Sequence, residues 1–500
     1  MKKTRFLTDI LFPAPVLSGI LASQALAALW VCANNRALFG KLSLLAAEGY
    51  LTVPNPITAP LLKTFGAAFW GGLFFTLTMG AGISVFAFFL SWALFRLYPG
   101  DNGRPAAIIL GSVFAFIALF VNTAGLAVYP TLIVLLAPAP VILLTRLWAR
   151  RLPPGPLSFK FAACFFVPLV ILGFLWGRHK DDKLFDHLRD DVLLSSGAGI
   201  CVVDFYYRYT LYAAEIIKPL KARQEKTVRI EGTTDPSTLA TLRLALVNKD
   251  WLPVKGKGPV DLEIGLRDGK LSLAHGGKVF AGMPVGDFLQ NPQKHLEEFS
   301  DARDRMGPTR TLCKAGLLLG FPLVLYIIGF GLVRALLGLA APPIAAAGLT
   351  GALGVVLGVA LLLPVSNAAK ARNRDIRYLM ASRSVSERLT GLRLAVEKNI
   401  PVCRLPGFDE ALKSPVMVER RWAAAALAVG DCPSATSRLV ALTKDPHPYV
   451  RCHAVLALSQ LGSTYVTYAL IDLLKTSDHW YLEWYAYNAA RSLGWHQKEE

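Results

Sequence analysis

The feature that most constrains this chain is the length of its uncharged apolar runs. Crossing the hydrocarbon core of a bilayer takes roughly 20 helical residues. Seven stretches approach or exceed that length: 10–33, 64–95, 105–128, 130–148, 160–177, 315–338 and 341–364. Their interiors hold essentially no Asp, Glu, Lys, Arg or His. Such stretches predict helices inside lipid, where every backbone polar group is satisfied within the segment. Residues 178–310 and 366–500 have ordinary soluble composition instead. The expected fold is mainly α, a polytopic transmembrane bundle of about seven spans. Residues 1–177 carry five spans and 311–365 two. A small extramembrane α+β domain occupies 178–310, and a C-terminal α-solenoid occupies 366–500.

The net charge of +18 has a local explanation. Lys and Arg collect on the cytoplasmic flanks of membrane helices. Here Lys2, Lys3 and Arg5 precede the first run, Arg96 and Arg104 separate the second from the third, and Arg146, Arg150, Arg151 and Lys160 flank the fourth-to-fifth connection. The turn at Val128-Tyr129-Pro130 carries no charge. This alternation predicts a cytoplasmic N-terminus, against which Arg36, Lys41 and Lys63 count. With seven spans, the middle and C-terminal domains then lie outside the cytoplasm, at a cell membrane of the bacterial inner-membrane kind. A tight hairpin within 64–95 would add a span and return the C-terminus to the cytoplasm. The run reaching Ala25-Leu26-Ala27 also has the form of a secretory signal, but Asp9, Pro13, Pro15 and its length favour an uncleaved helix. No dense basic stripe interleaved with aromatics is present, so no nucleic-acid partner is expected.

Small residues recur every fourth position at Ala68, Gly72, Thr76, Gly80 and Ser84, and again at Ala346, Thr350, Gly354 and Gly358, while Gly316 and Gly320 open the sixth run. Such stripes let helices approach closely, so that packing replaces the missing hydrophobic drive. Ion-coupled carriers usually keep ionisable groups in the membrane. Their absence here disfavours a coupled transporter, leaving Ser112, Asn122 and Thr123 as polar candidates for one that works without them.

The middle domain opens on a charged collar with His179, Asp181, Asp182, Asp186 and His187, which is read as solvated and not as a metal site. An aromatic helix follows around Asp204-Phe205-Tyr206-Tyr207-Arg208-Tyr209, with Asp204 and Arg208 spaced to pair. Strands are expected at 226–230, 260–266, 270–274 and 278–281, with Arg267-Asp268-Gly269 as a hairpin turn. Asp235 and Pro236 predict a helix start, and short helices close the domain near 284–290 and 293–305. His275 reads as a loop histidine and His295 with Glu298 as a surface pair. No Walker loop, HExxH, GxSxG or dinucleotide fingerprint is present, so no catalytic residue, cofactor or metal ligand is assigned.

Residues 414–494 repeat themselves. Asp445-Pro446 precedes Val450-Arg451, Ala454, Ala457, Leu458, Leu461 and Gly462. About 31 residues earlier stand Ser414-Pro415, Arg420, Ala423, Ala426, Leu427 and Gly430, and about 32 later Ala486, Ala489, Ala490, Leu493 and Gly494. Self-similarity at this period marks stacked helix pairs. The pattern resembles the HEAT family, in particular its bilin-lyase-type variety, and a helix near 384–398 opens the array. The resemblance implies a right-handed helical stack with a protein-binding surface at 366–500, and carries no lyase activity with it. Trp480, Tyr481, Trp484, Tyr485 and Trp495 either close the last repeat or form a partner-binding patch. Outside the cytoplasm, Cys403, Cys432 and Cys452 would include one disulfide pair, which the sequence leaves open.

The resulting expectation is a non-enzymatic membrane scaffold or assembly protein that sits in the lipid bilayer and recruits a protein partner. A transporter or channel component is the alternative. An interfacial enzyme using Asp181, Asp204 or Glu215 is a weaker third reading.

Overall fold

The apolar runs become long helices because, in a chain with no polar face to solvate, only helical hydrogen bonding satisfies the backbone. In the computed structural model, residues 11–98, 104–151, 159–178, 186–232, 235–256, 258–363, 370, 373–430, 432–462 and 466–497 are described. Lys2, Lys3, Arg5, Asp9, His179, Asp181 and Asp182 lie outside the described residues. The chain divides into two compact units, each assembled from three segments.

The first unit comprises Met1–Cys32, Ala68–Phe185 and Arg305–Leu363. Among the described residues, six helices are long and apolar enough to cross a membrane: Ala14–Ala47, Phe65–Leu97, Arg104–Val121, Val128–Ala149, Gly307–Leu337 and Pro343–Ala360. The remaining expected span is the helix Phe159–Arg178, interrupted by Pro168, whose apolar part Ala162–Arg178 falls short of the others. The 64–95 run is one continuous helix and not a hairpin, with a π turn at Thr76–Gly80. A second π turn, Gly316–Gly320, lies in the helix that begins at Gly307.

The unit is apolar on the outside. Ile108, Phe116 and Leu119 are each about 70% exposed, whereas Ser23, Ser84, Ser91 and Thr145 are buried. Water would punish that distribution, and lipid does not. The small-residue stripes sit where helices meet. A methyl group on Gly316 would fall 2.0 Å from the Thr78 carbonyl oxygen, one on Gly320 2.4 Å from the Gly82 Cα, and one on Gly72 2.9 Å from the Ala28 nitrogen. Thr76 donates to Gln24 Oε1 at 2.7 Å, and Gln24 donates to the Phe69 carbonyl at 2.6 Å. Around Phe12, the rings of Phe88, Trp148 and Phe165 stand 5.6–5.8 Å away, mostly edge-on.

The second unit joins Ala33–Ala67, Asp186–Asp304 and Pro364–Glu500. Its sheet contains β1 (Lys226–Gly232), β2 (Trp251–Pro253), β3 (Leu262–Arg267), β4 (Lys270–His275) and β5 (Lys278–Pro284) in the order β2-β1-β3-β4-β5. β1 runs parallel to β2 and β3, and β3-β4-β5 form an antiparallel meander. Asp268 and Gly269 both take positive φ in the β3–β4 turn, the conformation that a two-residue hairpin needs. Asp235 accepts from the Thr238 backbone N–H at 2.8 Å and caps the helix Pro236–Val247. Leu242, Leu246, Phe288, Leu296 and Phe299 bury their side chains against Val228, Leu262, Ile264 and Leu273 of the sheet. β2 escapes the alternation rule because it has only three residues and ends in Pro253.

Candidate functional site

After Ile376–Met380, the C-terminal segment supplies the helices Val385–Lys398, Phe408–Leu412, Met417–Leu427, Ala435–Leu442, Pro448–Gln460, Val466–Thr476 and Trp480–Ser492. The Val385, Met417, Pro448 and Trp480 helices stack in succession, and the Phe408, Ala435 and Val466 helices pair with them as an outer set. Alanines make the close packing possible: Ala423, Ala426, Ala454, Ala457, Ala486 and Ala490 are all buried in one core with Leu427 and Leu458. Gly430, Gly462 and Gly494 take positive φ after three of these helices, the left-handed stop that glycine favours. Asp445 accepts from the His447 backbone N–H at 2.9 Å. The next helix therefore begins at Pro448, two residues later than Asp445-Pro446 suggests.

The repeats are also linked by charge. Arg388, Arg420 and Arg451 recur at the same place in successive units. Arg388 pairs with Glu419, whose side chain is fully buried. Arg420 grips both oxygens of Asp445 at 2.6 and 3.0 Å, and Arg451 reaches Asp478 at 4.0 Å. Arg388 and Arg420 also donate to the carbonyls of Ser382 and Ser414 at 2.9 and 2.6 Å. Each guanidinium thus reaches from one repeat to the next, and those of Arg388 and Arg420 do so in the forked geometry that suits Arg and not Lys.

Residues 406–491 match the family model of HEAT repeats. No curated protein and no solved structure matches the chain. HEAT repeats generally mediate contacts between proteins, which fits a chain with a protein partner.

One face of these HEAT repeats is already covered within the unit. The helix Gly197–Ile217 packs on the Pro448 and Trp480 helices, and the turn Leu188–Leu193 precedes it. Asp190 of that turn is fully buried. It accepts from Arg189 Nε at 2.7 Å, Trp422 Nε1 at 2.8 Å and Tyr449 Oη at 3.1 Å. Burial would raise the Asp190 pKa, but the Arg189 hydrogen bond and the charges of Arg189, Arg421 and Arg393 outweigh it and hold the carboxyl below its ordinary value. Asp191 is gripped by Arg393 at 2.9 and 3.0 Å and by His187 at 2.6 Å.

Two aromatic residues of the last repeat, Trp480 and Tyr481, pack against the same helix. Trp480 is buried with its ring centroid 4.2 Å from that of Tyr212, and Tyr481 lies 4.7 Å from Tyr207. Trp484 is half-buried beneath Lys218, Tyr485 lies 5.2 Å from Trp484, and Trp495 meets Tyr487 edge-on. Asp204 stands 3.7 Å from His447, and Arg208 lies over the ring of its neighbour Tyr209, in place of the expected intrahelical pair. His275 contacts the Val260 carbonyl oxygen at 3.1 Å and lies 2.7 Å from Arg303, not free in its turn. His295 and Glu298 stand 3.6 Å apart. In the first unit Asn122 closes a turn, donating to Thr131 Oγ1 at 2.7 Å and accepting from the Ala127 N–H at 2.8 Å. No lining role follows from that position.

The sequence gives no local sign of a further anchor, the loop 50–58. Asn55 is buried and donates to the carbonyls of Leu474 and Ser477 at 3.0 and 2.9 Å. Fully buried Glu483 accepts from the Asn55 backbone N–H at 2.7 Å and from Thr58 Oγ1 at 2.9 Å. Burial pushes Glu483 up to about 7, against the lowering effect of those two donors. Its folded-state value lies above its ordinary 4.5, so the folded unit retains a proton that the unfolded chain releases. That contribution to stability is fully present below pH 4.5 and lost as pH rises through about 7. Unfolding measured at pH 5 and pH 8 should show lower stability at the higher pH, and Glu483→Gln should flatten that slope. An unchanged slope would remove Glu483 as its cause.

Cys403 and Cys432 form a disulfide with Cα atoms 5.8 Å apart, leaving Cys452 buried and free. Five cysteines are free thiols. Alkylation in denaturant should therefore label five thiols before reduction and all seven after it, counted by mass.

Proposed function

We propose that the chain is a seven-span membrane scaffold that displays its HEAT repeats outside the cytoplasm to recruit a protein partner. The observation that carries this reading is the composition of the second unit. Residues 33–67, 186–304 and 364–500 pack into one folded body, and segments that fold together must lie on the same side of a bilayer. An even number of crossings must then separate 33–67 from 186–304. The intervening helices are Phe65–Leu97, Arg104–Val121, Val128–Ala149 and Phe159–Arg178, so parity asks Phe159–Arg178 to cross as well. Its 20 residues extend about 30 Å, close to the thickness of the hydrocarbon core. Two further helices precede residue 364 and keep the count even. Seven spans follow, with this unit opposite the N-terminus.

Two observations support an extracytoplasmic side. The basic flanks at Arg96, Arg104, Arg146 and Lys160 fall on the N-terminal side of this arrangement. The Cys403–Cys432 disulfide belongs in an oxidising compartment. The Gly197–Ile217 helix covers Trp480 and Tyr481, and Lys218 lies over Trp484, so the partner surface is assigned to the outer helices. There Tyr468 is 83% exposed, and Asp472 and Lys475 are exposed beside it. A photo-crosslinker at position 468 of the full-length protein should capture one protein species in membranes, and Asp472→Lys should abolish the capture. Absence of a protein crosslink, together with solute flux by the reconstituted protein, would favour a transporter component instead.

A further inference from the structure

The second unit holds a half-open cavity of about 270 Å³, apart from the outer helices assigned to a protein partner. It lies between the end of the first helix, the Gly197–Ile217 helix, the start of β1, the loop before β3 and the last repeat. Many charged side chains line it, and each already holds a hydrogen-bond or ion-pair partner. Lys41 Nζ is 2.6 Å from Asp261 and donates to the Glu225 carbonyl at 2.6 Å. Arg303 donates to the Asp261 carbonyl at 2.6 Å, Arg223 donates to the Ile216 carbonyl at 3.2 Å, and Glu215 pairs with Lys218. An ionic ligand would have to displace these partners, and breaking a buried pair such as Lys41–Asp261 is costly.

What the cavity leaves available is neutral hydrogen-bonding capacity. The Tyr212 hydroxyl is buried and has no partner among the described residues. Buried polar groups are nearly always satisfied, so an orphan at a cavity wall asks for a ligand or water. Glu225 is buried, and its Oε1 accepts from the Val53 N–H at 2.9 Å, which leaves lone pairs for a hydroxyl donor. Asn35 is buried and also lines the space, and the Trp484 indole supplies a flat apolar wall. A hydroxyl group donates and accepts at once and carries no charge, which suits this lining. The volume lies just below the usual span for small-molecule sites, roughly 300–1,000 Å³, and so fits one sugar ring.

We propose that this cavity binds a neutral polyhydroxylated molecule of monosaccharide size, through the Tyr212 hydroxyl and the Glu225 and Asn35 side chains against Trp484. The ligand is either a free sugar or the sugar of a glycosylated lipid. The test is calorimetric titration of the full-length protein in nanodiscs, prepared without glycoside detergents. The probes are glucose, N-acetylglucosamine and myo-inositol, with inorganic phosphate and glycine as charged controls and a glucosyl diacylglycerol built into the nanodisc as the lipid-linked arm. At least one neutral probe should bind with a Kd of about 1 mM or tighter. Tyr212→Phe, which keeps the ring against Trp480, should weaken binding about tenfold without lowering thermal stability. Response only to the glycolipid would support the site and identify its source. Binding by none of the neutral probes, tighter binding of phosphate or glycine, or unaltered binding by Tyr212→Phe would overturn the proposal.

Discussion

Replacing Asp190 with Ala should destabilise the second unit by about 3–5 kcal/mol, the usual cost of removing one partner from a buried ion pair. The carboxylate has no exposed surface. It satisfies Arg189, the Trp422 indole N–H and the Tyr449 hydroxyl, with Arg393 3.6 Å away. Truncation leaves these donors facing one another in a space that water does not enter freely. Asp190→Asn is the informative companion. It keeps the shape but offers an amide N–H where donors already point, so it should fall between wild type and Ala. Unfolding of the purified protein, followed by tryptophan fluorescence, measures both. A loss below about 1 kcal/mol, as for an exposed pair, would mean that the network contributes little.

The second large effect is expected in the bundle. Gly316→Ala places a methyl group 2.0 Å from the Thr78 carbonyl oxygen, a backbone atom on a neighbouring helix that cannot rotate away. The helices must part, at a cost of about 3 kcal/mol, the upper end of the usual range for overpacking. Gly329→Ala, in the same long helix, meets nothing within 4 Å and should be neutral or slightly stabilising through helix propensity. Resistance of the purified variants to denaturing detergent distinguishes the pair. Equal resistance would mean that the small-residue stripe does not set the helix spacing.

The two stripes illustrate what the sequence makes legible. Close helix approach needs small residues at fixed spacing, and that spacing is visible in one dimension. Gly316, Gly320 and Gly358 all sit where a neighbouring helix leaves no room for a side chain. The same holds for the Asp268-Gly269 turn, the Asp235 cap and the alanine ladder of the repeats, all short-range devices. Contacts between distant segments are another matter. Asn55 looks like an ordinary loop residue until Leu474, Ser477 and Glu483 are found around it. The rings from Trp480 to Tyr485 read first as an end cap and second as a docking patch, and the helix that packs on Trp480 and Tyr481 lies more than 250 residues earlier in the chain. Arg420 and Arg451 belong to the repeat pattern, but the acidic partners of these two and of Arg388 stand in the following repeat at unequal offsets, with nothing in the spacing to mark them. The membership of 33–67 in the second unit is invisible in composition, since composition follows the chain while packing joins segments far apart along it.

The central claim is that three separate stretches form one body on one side of a membrane. Single cysteines introduced at Ile57, Gly276 and Tyr468, in a chain with Cys201 replaced by Ser, test it directly. Ile57 and Tyr468 are exposed, Gly276 sits in an exposed turn, and Cys201 is itself exposed. A membrane-impermeant thiol reagent added to intact cells should label all three positions. Labelling at 468 and 276 but not at 57, with 57 reached only after the membrane is opened, would put the loop on the other face and contradict the account.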